Sequence, residues 1–293
     1  MSQLSESVRK SFKESDDIRD AGLVTPDTVE RYDDILYGQD SRWQVLDVYR
    51  PKDKKDKKLP VIVSIHGGAW VYGDKERYQY YCMSLAERGF AVVNFTYRLA
   101  PDFKYPCPIE DTNLVFEWVL ANGKEYGLDT DNIFAVGDSA GAHILSIYAA
   151  ILTNPEYAKE YPFKAPANLE LKAIALNCGM GELTTEDSLS GLMADLLPEK
   201  GTEEELRRIS MKYHVTKDYP PVFIMTAVED FLKMQAPIIA TALTENNVPF
   251  VYKMYGDKNN PLQHVFHCDM RLEDGKKCND EECEFFRSYI KKN

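Results

Sequence analysis

Short apolar runs with the length of β-strands alternate along this chain with segments whose apolar residues recur at helical spacing. Continuous apolar runs such as residues 61–66 are typical of strands buried on both faces of a parallel sheet. The repeated alternation therefore predicts an α/β protein with a mostly parallel sheet and crossover helices on both faces. Strands are predicted at residues 43–49, 61–66, 90–97, 132–136, 171–176, 221–226 and 249–254, and helices at 76–88, 108–121, 140–152, 232–245 and 280–291.

The alternation stops at about residues 179–219, where two segments, 183–197 and 202–214, have helical spacing with no strand between them. We interpret this region as an insertion lying over the sheet. Residues 1–31 also have helical spacing and no partner strand, and we expect them to pack beside the insertion. The prediction is a single domain, 1–293, with a small helical cap formed by these two regions.

Composition excludes several classes of partner. The 293 residues carry 47 acidic and 35 basic side chains, a formal net charge of −12. This excess repels phosphate backbones and anionic headgroups, so we expect neither nucleic acid nor a membrane as partner and leave homo-oligomer formation open. The polar N-terminal segment lacks the apolar core of a secretory signal, and no stretch of about 18 apolar residues occurs, which predicts a cytoplasmic protein.

The six cysteines are scattered without a C-x-x-C pair. Cys278 and Cys283, with His264 and His267 nearby, suggest a zinc site, but their spacing is wider than that of usual zinc ligands and the segment between them is acidic. Free thiols in a reducing compartment explain the cysteines better. We therefore expect no metal and no cofactor.

A Gly-Asp-Ser-Ala-Gly motif at residues 137–141 lies between a predicted strand and a predicted helix. A tight strand-to-helix turn forces its central residue into a strained backbone conformation, and flanking glycines avoid a steric clash. Such a turn presents Ser139 above the sheet at a helix N-terminus, which predicts a nucleophile. A glycine-rich turn or a phosphate-binding loop is the alternative.

A serine nucleophile needs hydrogen-bond donors for an oxyanion. The sequence His-Gly-Gly-Ala-Trp at 66–70 directly follows a predicted strand, and its two glycines allow the backbone to approach a ligand closely. We predict that the N–H groups of Gly67, Gly68 and Ala140 form this oxyanion hole. An ordinary β-turn is the alternative interpretation.

The nucleophile also needs a base and an acid that orients the base. Glu229 and Asp230 follow the predicted strand 221–226, and we favour Asp230 from its position, although a single aspartate there is also a common helix cap. Of the five histidines, His264 follows the last predicted strand, with His267 as its rival. His143 lies in the helix after the serine and His214 in the insertion, where core or surface roles are expected.

These motifs, together with Tyr-Arg-Leu-Ala-Pro at 97–101 and His-Val-Phe at 264–266, resemble the α/β-hydrolase esterases of the hormone-sensitive-lipase-like group. The resemblance extends over about residues 35–290, and segments 34–38 and 46–51 are similar to bacterial carbohydrate and short-acyl esterases of that group. It implies an α/β-hydrolase fold with Ser139 as nucleophile, His264 as base and Asp230 as acid. The chain departs from the group's frequent Asp-Pro-Leu sequence with Asp-Phe-Leu at 230–232.

The predicted reaction is hydrolysis of carboxylic esters through an acyl-enzyme. Trp70 and Tyr72 follow the oxyanion loop and are candidates for one wall of the substrate pocket, with ordinary core aromatics as the alternative interpretation. The insertion is too small and polar for the interfacial lid of a lipase, so we expect short acyl groups, acetyl first, on a small-molecule or oligosaccharide ester. An arylformamidase-like amidase is the alternative, since such enzymes share the loop and the triad, and a non-catalytic ligand-binding relative is a third.

Overall fold

The computed structural model describes residues 1–185 and 190–291, which form a sheet of eight strands with helices on both faces. The strands follow the spatial order β1-β2-β4-β3-β5-β6-β7-β8, and all neighbours from β4 to β8 are parallel. The predicted mostly parallel α/β architecture is therefore confirmed. The strands are β1 Val29–Leu36, β2 Val45–Pro51, β3 Leu59–Ile65, β4 Ala91–Phe95, β5 Leu128–Asp138, β6 Leu171–Asn177, β7 Val222–Ala227 and β8 Phe250–Tyr255.

Helices cover the sheet from two sides because successive strand side chains point to opposite faces. Val61 and Val63 of β3 face one apolar core, which also contains residues of α3, α4 and α8, whereas Ile62 faces a second core shared with α2 and α9. The helices are α1 Gln3–Asp20, α2 Lys75–Glu87, α3 Cys107–Asn122, α4 Ala140–Thr153, α5 Pro155–Ala158, α6 Ser190–Leu196, α7 Glu203–Arg208, α8 Gln235–Glu245 and α9 Glu273–Ser288.

The N-terminal prediction needs a correction, because the helix ends at Asp20 and residues 29–31 begin strand β1. Strand β1 pairs with β2 at the edge of the sheet and is mostly exposed. Its register shifts between Tyr32 and Ile35, and Asp34 between them has a φ of 56°. This irregularity interrupts the alternation of apolar and polar residues by which an edge strand is detected.

Helix α1 packs beside the insertion. The hydroxyls of Ser2 and Ser5 donate to the Asp195 carboxylate of α6 at 2.7 and 2.5 Å. Farther along α1, the Arg9 guanidinium donates to the backbone carbonyls of Val71 and Ala100. These contacts fix the helix against the insertion and against the loops that follow β3 and β4.

The insertion has less helix than predicted. Within the predicted segment 183–197, the described helix is Ser190–Leu196, Leu183 is non-helical, and residues 186–189 lie outside the described part. The second segment divides into α7, with a capping box between Thr202 and Glu205, and a short 3-10 turn at Met211–Tyr213. The apolar face of the insertion is buried in the core, through Leu192, Met193, Leu196 and Leu197.

The last helix begins at Glu273, seven residues before the predicted start. Gly275 in its first turn hides the helical pattern, because glycine has low helix propensity. A Cβ at that position would lie 3.0 Å from the Asp269 carbonyl oxygen. None of the helices in the described ranges is both long and apolar enough to cross a bilayer.

Candidate active site

The predicted site residues lie in loops at the carboxyl ends of the parallel strands. Gly67 and Gly68 follow β3, Ser139 follows β5, Asp230 follows β7 and His264 follows β8. Strands β3 and β5 are neighbours in the sheet, and β7 and β8 pair two positions farther on. Ligands of open α/β sheets bind at this edge, so the topology brings together residues that are far apart in sequence.

The turn at Ser139 is strained. Its φ of 52° and ψ of −119° lie in a region that residues with side chains rarely occupy. A Cβ at Gly137 would lie 2.5 Å from the backbone of Gly141, and one at Gly141 would lie 2.0 Å from the Ile65 carbonyl oxygen. Both flanking positions therefore require glycine, because strand β5, helix α4 and the end of β3 meet there without room for a side chain.

The backbone of Ser139 is fixed by a hydrogen bond to a neighbouring strand, and the residue is partly accessible to solvent. Its backbone N–H donates to the Asn177 carbonyl at the end of β6, over 2.9 Å. Its side chain lines a cavity of about 220 Å³, which Gly67, Gly68 and His264 also line. The structure thus places the predicted nucleophile, base and oxyanion loop around one small space.

Asp230 and His264 form a direct pair, in which His264 Nδ1 lies 2.6 Å from Asp230 Oδ1. The carboxylate is buried and also accepts hydrogen bonds from the Thr226 hydroxyl and the Leu232 N–H, at 2.7 and 2.8 Å. Burial by itself raises the pKa of Asp230, but its hydrogen bonds, that from His264 above all, hold this pKa below the usual value. Asp230 is therefore ionised, and it fixes the imidazole with Nδ1 protonated and Nε2 free to accept a proton.

The rival residues occupy other positions. Glu229 is not fully buried and pairs through its backbone with Gln263, whereas Asp230 points to the imidazole. His267 is buried against Tyr81, and burial lowers its pKa to about 3. His214, in the insertion, stacks on Tyr157 of helix α5, with 3.7 Å between ring centroids.

The oxyanion loop departs from the prediction at Gly67, whose N–H donates to the Tyr78 hydroxyl at 3.0 Å and is not free. Within the described residues, the N–H groups of Gly68 and Ala69 have no acceptor. Gly68 has a φ of 119°, and a Cβ there would lie 2.0 Å from the Tyr72 carbonyl oxygen. The sequence does not reveal Ala69 as a donor, because an alanine, unlike a glycine, gives no local sign of a close backbone approach.

The third predicted donor is in place, since Ala140 is the first residue of α4. The N–H groups of a first helical turn have no intrahelical acceptor and carry the positive end of the helix dipole. Among the described residues next to Ser139 and after Gly67, the N–H groups of Gly68, Ala69 and Ala140 therefore have no protein acceptor.

Trp70 is not a pocket residue, and that prediction is wrong. Its side chain is buried, and its indole N–H donates to His143 Nδ1 at 3.2 Å. The His143 ring accepts this hydrogen bond at Nδ1 and donates from Nε2 to the Ile209 carbonyl at 2.7 Å. The left-handed backbone at Ala69 and Trp70, with φ of 53° and 62°, turns the indole inward. Tyr72, in contrast, lines the cavity.

Helix α1 supplies a wall of the cavity that the sequence did not reveal. Phe12, Ser15, Asp16 and Arg19 line it, and the Phe12 ring meets Tyr72 edge to face at 6.1 Å. Asp16 accepts one hydrogen bond from the Tyr72 hydroxyl and forms an ion pair with Arg19, but burial raises the pKa of its carboxyl group. The four residues recur at helical spacing, which would have predicted a common face but not its partner.

Phe231 lines the opposite side, where its ring centroid lies 4.3 Å from that of His264. Its side chain is 60% exposed, although it is large and apolar.

Among the described residues, one group of three side chains could in principle hold a metal ion, namely Cys178, Asp230 and His264, with donor atoms within 4.8 Å of one another. The short hydrogen bond between Asp230 and His264 already uses one donor atom of each residue. Cys278 and Cys283 are not part of this group. Both are buried in the second apolar core.

Comparison with known proteins connects this site to esterases. The BD-FAE family model matches residues 46–236, more than half of the chain. The probable carboxylic ester hydrolase LipM of Mycobacterium tuberculosis is 32% identical over 209 residues, 68% of this chain and 48% of LipM. Versiconal hemiacetal acetate esterase of Dothistroma septosporum is 28% identical over 229 residues, 71% of this chain and 67% of that enzyme. The chain thus spans about half the length of LipM and about two thirds of the length of the Dothistroma enzyme.

Among solved structures, Esterase B from Lactobacillus rhamnosis superposes with a TM-score of 0.88 and 25% sequence identity. The match covers 97% of this chain and 96% of that one. The match therefore extends over nearly the whole of both chains and is not confined to the sheet.

Proposed function

This chain belongs to the BD-FAE family and has the α/β-hydrolase fold of hormone-sensitive-lipase-like esterases, and on that premise we propose that it is a serine carboxylesterase for short acyl groups. The observation that carries the proposal is the His264–Asp230 pair, which faces the cavity that holds Ser139 on its strained turn. Named esterases among its relatives support the same class of reaction.

In the proposed reaction, Nε2 of His264 removes the proton of the Ser139 hydroxyl as its oxygen attacks the ester carbonyl carbon. The imidazole then carries a positive charge, which the ionised Asp230 stabilises through the 2.6 Å hydrogen bond. The imidazolium protonates the departing alkoxide, which leaves as an alcohol. Water, deprotonated by the same imidazole, then attacks the acyl-enzyme, and the imidazolium returns this proton to the departing Ser139 oxygen as the carboxylic acid is released.

The tetrahedral intermediates carry a negative charge on the former carbonyl oxygen. We assign its stabilisation to the N–H groups of Gly68, Ala69 and Ala140, which lie at two backbone segments beside Ser139. Loss of one such donor costs about 3–4 kcal/mol in comparable sites. Because these donors belong to the backbone, they are fixed before the reaction begins.

The size of the cavity supports a short acyl group. About 220 Å³ is less than the volume typical of pockets that enclose drug-sized ligands, and Phe12, Tyr72 and Val265 bound it. The relative from Dothistroma is named for an acetate ester, and one Esterase B structure concerns a tributyrin phosphonate. We therefore propose that acetyl esters are the preferred substrates and that butyryl esters are also hydrolysed.

For the alcohol part we propose a small molecule or a partly acetylated soluble oligosaccharide. Ser15 and Asp16 line the cavity with groups that can hydrogen-bond to hydroxyls, and the exposed Phe231 ring offers a flat surface for a sugar or aryl ring. Acetate release from acetylated oligosaccharides tests this part directly.

The decisive experiment measures initial hydrolysis rates of p-nitrophenyl acetate, butyrate and octanoate by the wild type, Ser139→Ala and His264→Ala. We expect rates that fall with chain length in the wild type and vanish in both variants. Activity in a folded Ser139→Ala protein would overturn the proposal. If the wild type hydrolyses N-formylkynurenine but none of the esters, the chain is an amidase instead.

A further inference from the structure

The hydroxyl of Tyr78 connects the oxyanion loop to the serine turn. It accepts a hydrogen bond from the Gly67 N–H at 3.0 Å and donates to Asp138 Oδ2 at 2.7 Å. Asp138 immediately precedes Ser139, and Gly67 immediately precedes Gly68. One side chain thus spans the two backbone segments that supply the free N–H donors.

The position of the Tyr78 side chain is fixed by helix α2 and by burial. It lies in the first turn of α2, which begins with the Asp74 carboxylate capping the Arg77 N–H at 2.9 Å. Tyr78 and Asp138 border the cavity beside Ser139, but both are buried, and low local polarity strengthens their hydrogen bond. Burial and the adjacent Asp138 carboxylate hold the pKa of Tyr78 well above its usual value, and the phenol therefore stays protonated and keeps donating.

The loop needs such an anchor, because three consecutive residues after Gly67 have positive φ, namely Gly68, Ala69 and Trp70. For the two that are not glycine this backbone is unfavourable and persists only where the surroundings impose it. The Gly67 peptide is held at both ends, since its carbonyl accepts from His66 Nδ1 at 2.7 Å while its N–H donates to Tyr78. A Cβ on Gly67 would lie 2.9 Å from the Tyr78 hydroxyl oxygen, so the contact also requires glycine.

We propose that Tyr78 is a positioning residue, whose hydroxyl sets the distance between the Gly68 and Ala69 donors and the Ala140 donor by bridging Gly67 to Asp138. It does not touch the reacting atoms. It acts by keeping the donors where the oxyanion forms, and a displacement near 1 Å is enough to lower a rate about 100-fold. This inference rests on the proposed function, because it assumes an oxyanion at Ser139.

The test compares Tyr78→Phe with Tyr81→Phe. Tyr81 is a matched control, since it lies one turn farther along α2, is buried, and donates to a buried carboxylate, that of Glu282. Each substitution removes one buried hydroxyl and keeps the ring. We expect Tyr78→Phe to lower kcat for p-nitrophenyl butyrate about 10-fold to 100-fold with little change in KM, and Tyr81→Phe to leave kcat within about twofold.

A second measurement separates positioning from general loss of structure. A trifluoromethyl ketone forms a tetrahedral adduct with an active serine, and its inhibition constant should rise in Tyr78→Phe by about the same factor as kcat/KM falls. Equal kinetic losses in both variants, or an unchanged inhibition constant in Tyr78→Phe, would overturn this inference. A folded but inactive wild type would overturn the proposed function instead.

Discussion

His264 Nδ1 and Asp230 Oδ1 are 2.6 Å apart, and this contact joins the loops that follow the last two strands of the sheet. Asp230 has no freedom to turn away, because Thr226 and Leu232 also donate to its two oxygens. The contact therefore determines both the orientation and the tautomer of the imidazole at the cavity.

The first prediction concerns this tautomer. In Asp230→Asn, the carboxamide can direct its NH₂ group toward His264, which favours the tautomer with the proton on Nε2, the wrong one for a base. We expect kcat for p-nitrophenyl acetate to fall roughly 10³-fold to 10⁴-fold. Glu229→Gln is the control and should keep its activity, because Glu229 does not contact the imidazole. Equal activities of the two variants would refute the assignment of Asp230.

The second prediction concerns acyl length. Phe12 of α1 closes one side of the cavity and packs against Tyr72. Phe12→Ala should make room for longer chains, and we expect the ratio of kcat/KM for p-nitrophenyl octanoate over acetate to rise roughly tenfold. An unchanged ratio would show that another wall limits the acyl group.

The third prediction concerns the alcohol part of the substrate. The exposed Phe231 ring should stack on a ring in the leaving group, an interaction worth a factor of roughly three to ten. Phe231→Ala should lower kcat/KM for p-nitrophenyl acetate by that factor and leave kcat/KM for ethyl acetate unchanged. Met234→Ala is the control, because Met234 is 71% exposed nearby and does not line the cavity. A parallel loss on both esters would contradict a stacking role.

The fourth prediction concerns the dependence of stability on pH. Burial raises the pKa of Glu282 to about 7 from its ordinary value of 4.5, although Asn177 and Tyr81 donate to its carboxylate. Between these two pH values the folded protein binds a proton that the unfolded chain has released. The free energy of unfolding should therefore fall as the pH rises from about 4.5 to 7, by roughly 3 kcal/mol from this residue alone.

Glu282→Gln tests this prediction, because glutamine has nearly the same shape and does not titrate. Urea unfolding at a series of pH values should show a smaller decline of stability for the variant than for the wild type over this window. Parallel pH curves for the two proteins would contradict a neutral, buried Glu282 at pH 5.

Much of the site can be predicted from sequence because its residues obey local rules. The turn at Ser139 demands Gly137 and Gly141 for steric reasons, so the motif and its strand-to-helix context are enough to identify it. His264 and Asp230 each follow a strand, and the carboxyl ends of parallel strands meet at one edge.

Other features depend on tertiary contacts that no local pattern encodes. The Tyr78 hydroxyl, which belongs to helix α2, accepts the hydrogen bond of the Gly67 N–H. The left-handed backbone at Trp70 directs its side chain into the core. The helical spacing of α1 is visible in the sequence. That one face of this helix forms a wall of the cavity follows only from the packing. Strand β1 cannot be predicted from the alternation of apolar and polar residues, because it is an exposed edge strand with an irregular register.

The most direct test of the central claim is to identify the atom that attacks the ester. A p-nitrophenyl phosphonate transfers its phosphonyl group to an activated serine, and intact-protein mass spectrometry with peptide mapping locates the adduct. We predict one adduct per chain on Ser139, none in Ser139→Ala, and strongly slowed labelling in His264→Ala. Labelling of another residue, or stoichiometric labelling of Ser139→Ala, would contradict the assignment of Ser139 as the nucleophile.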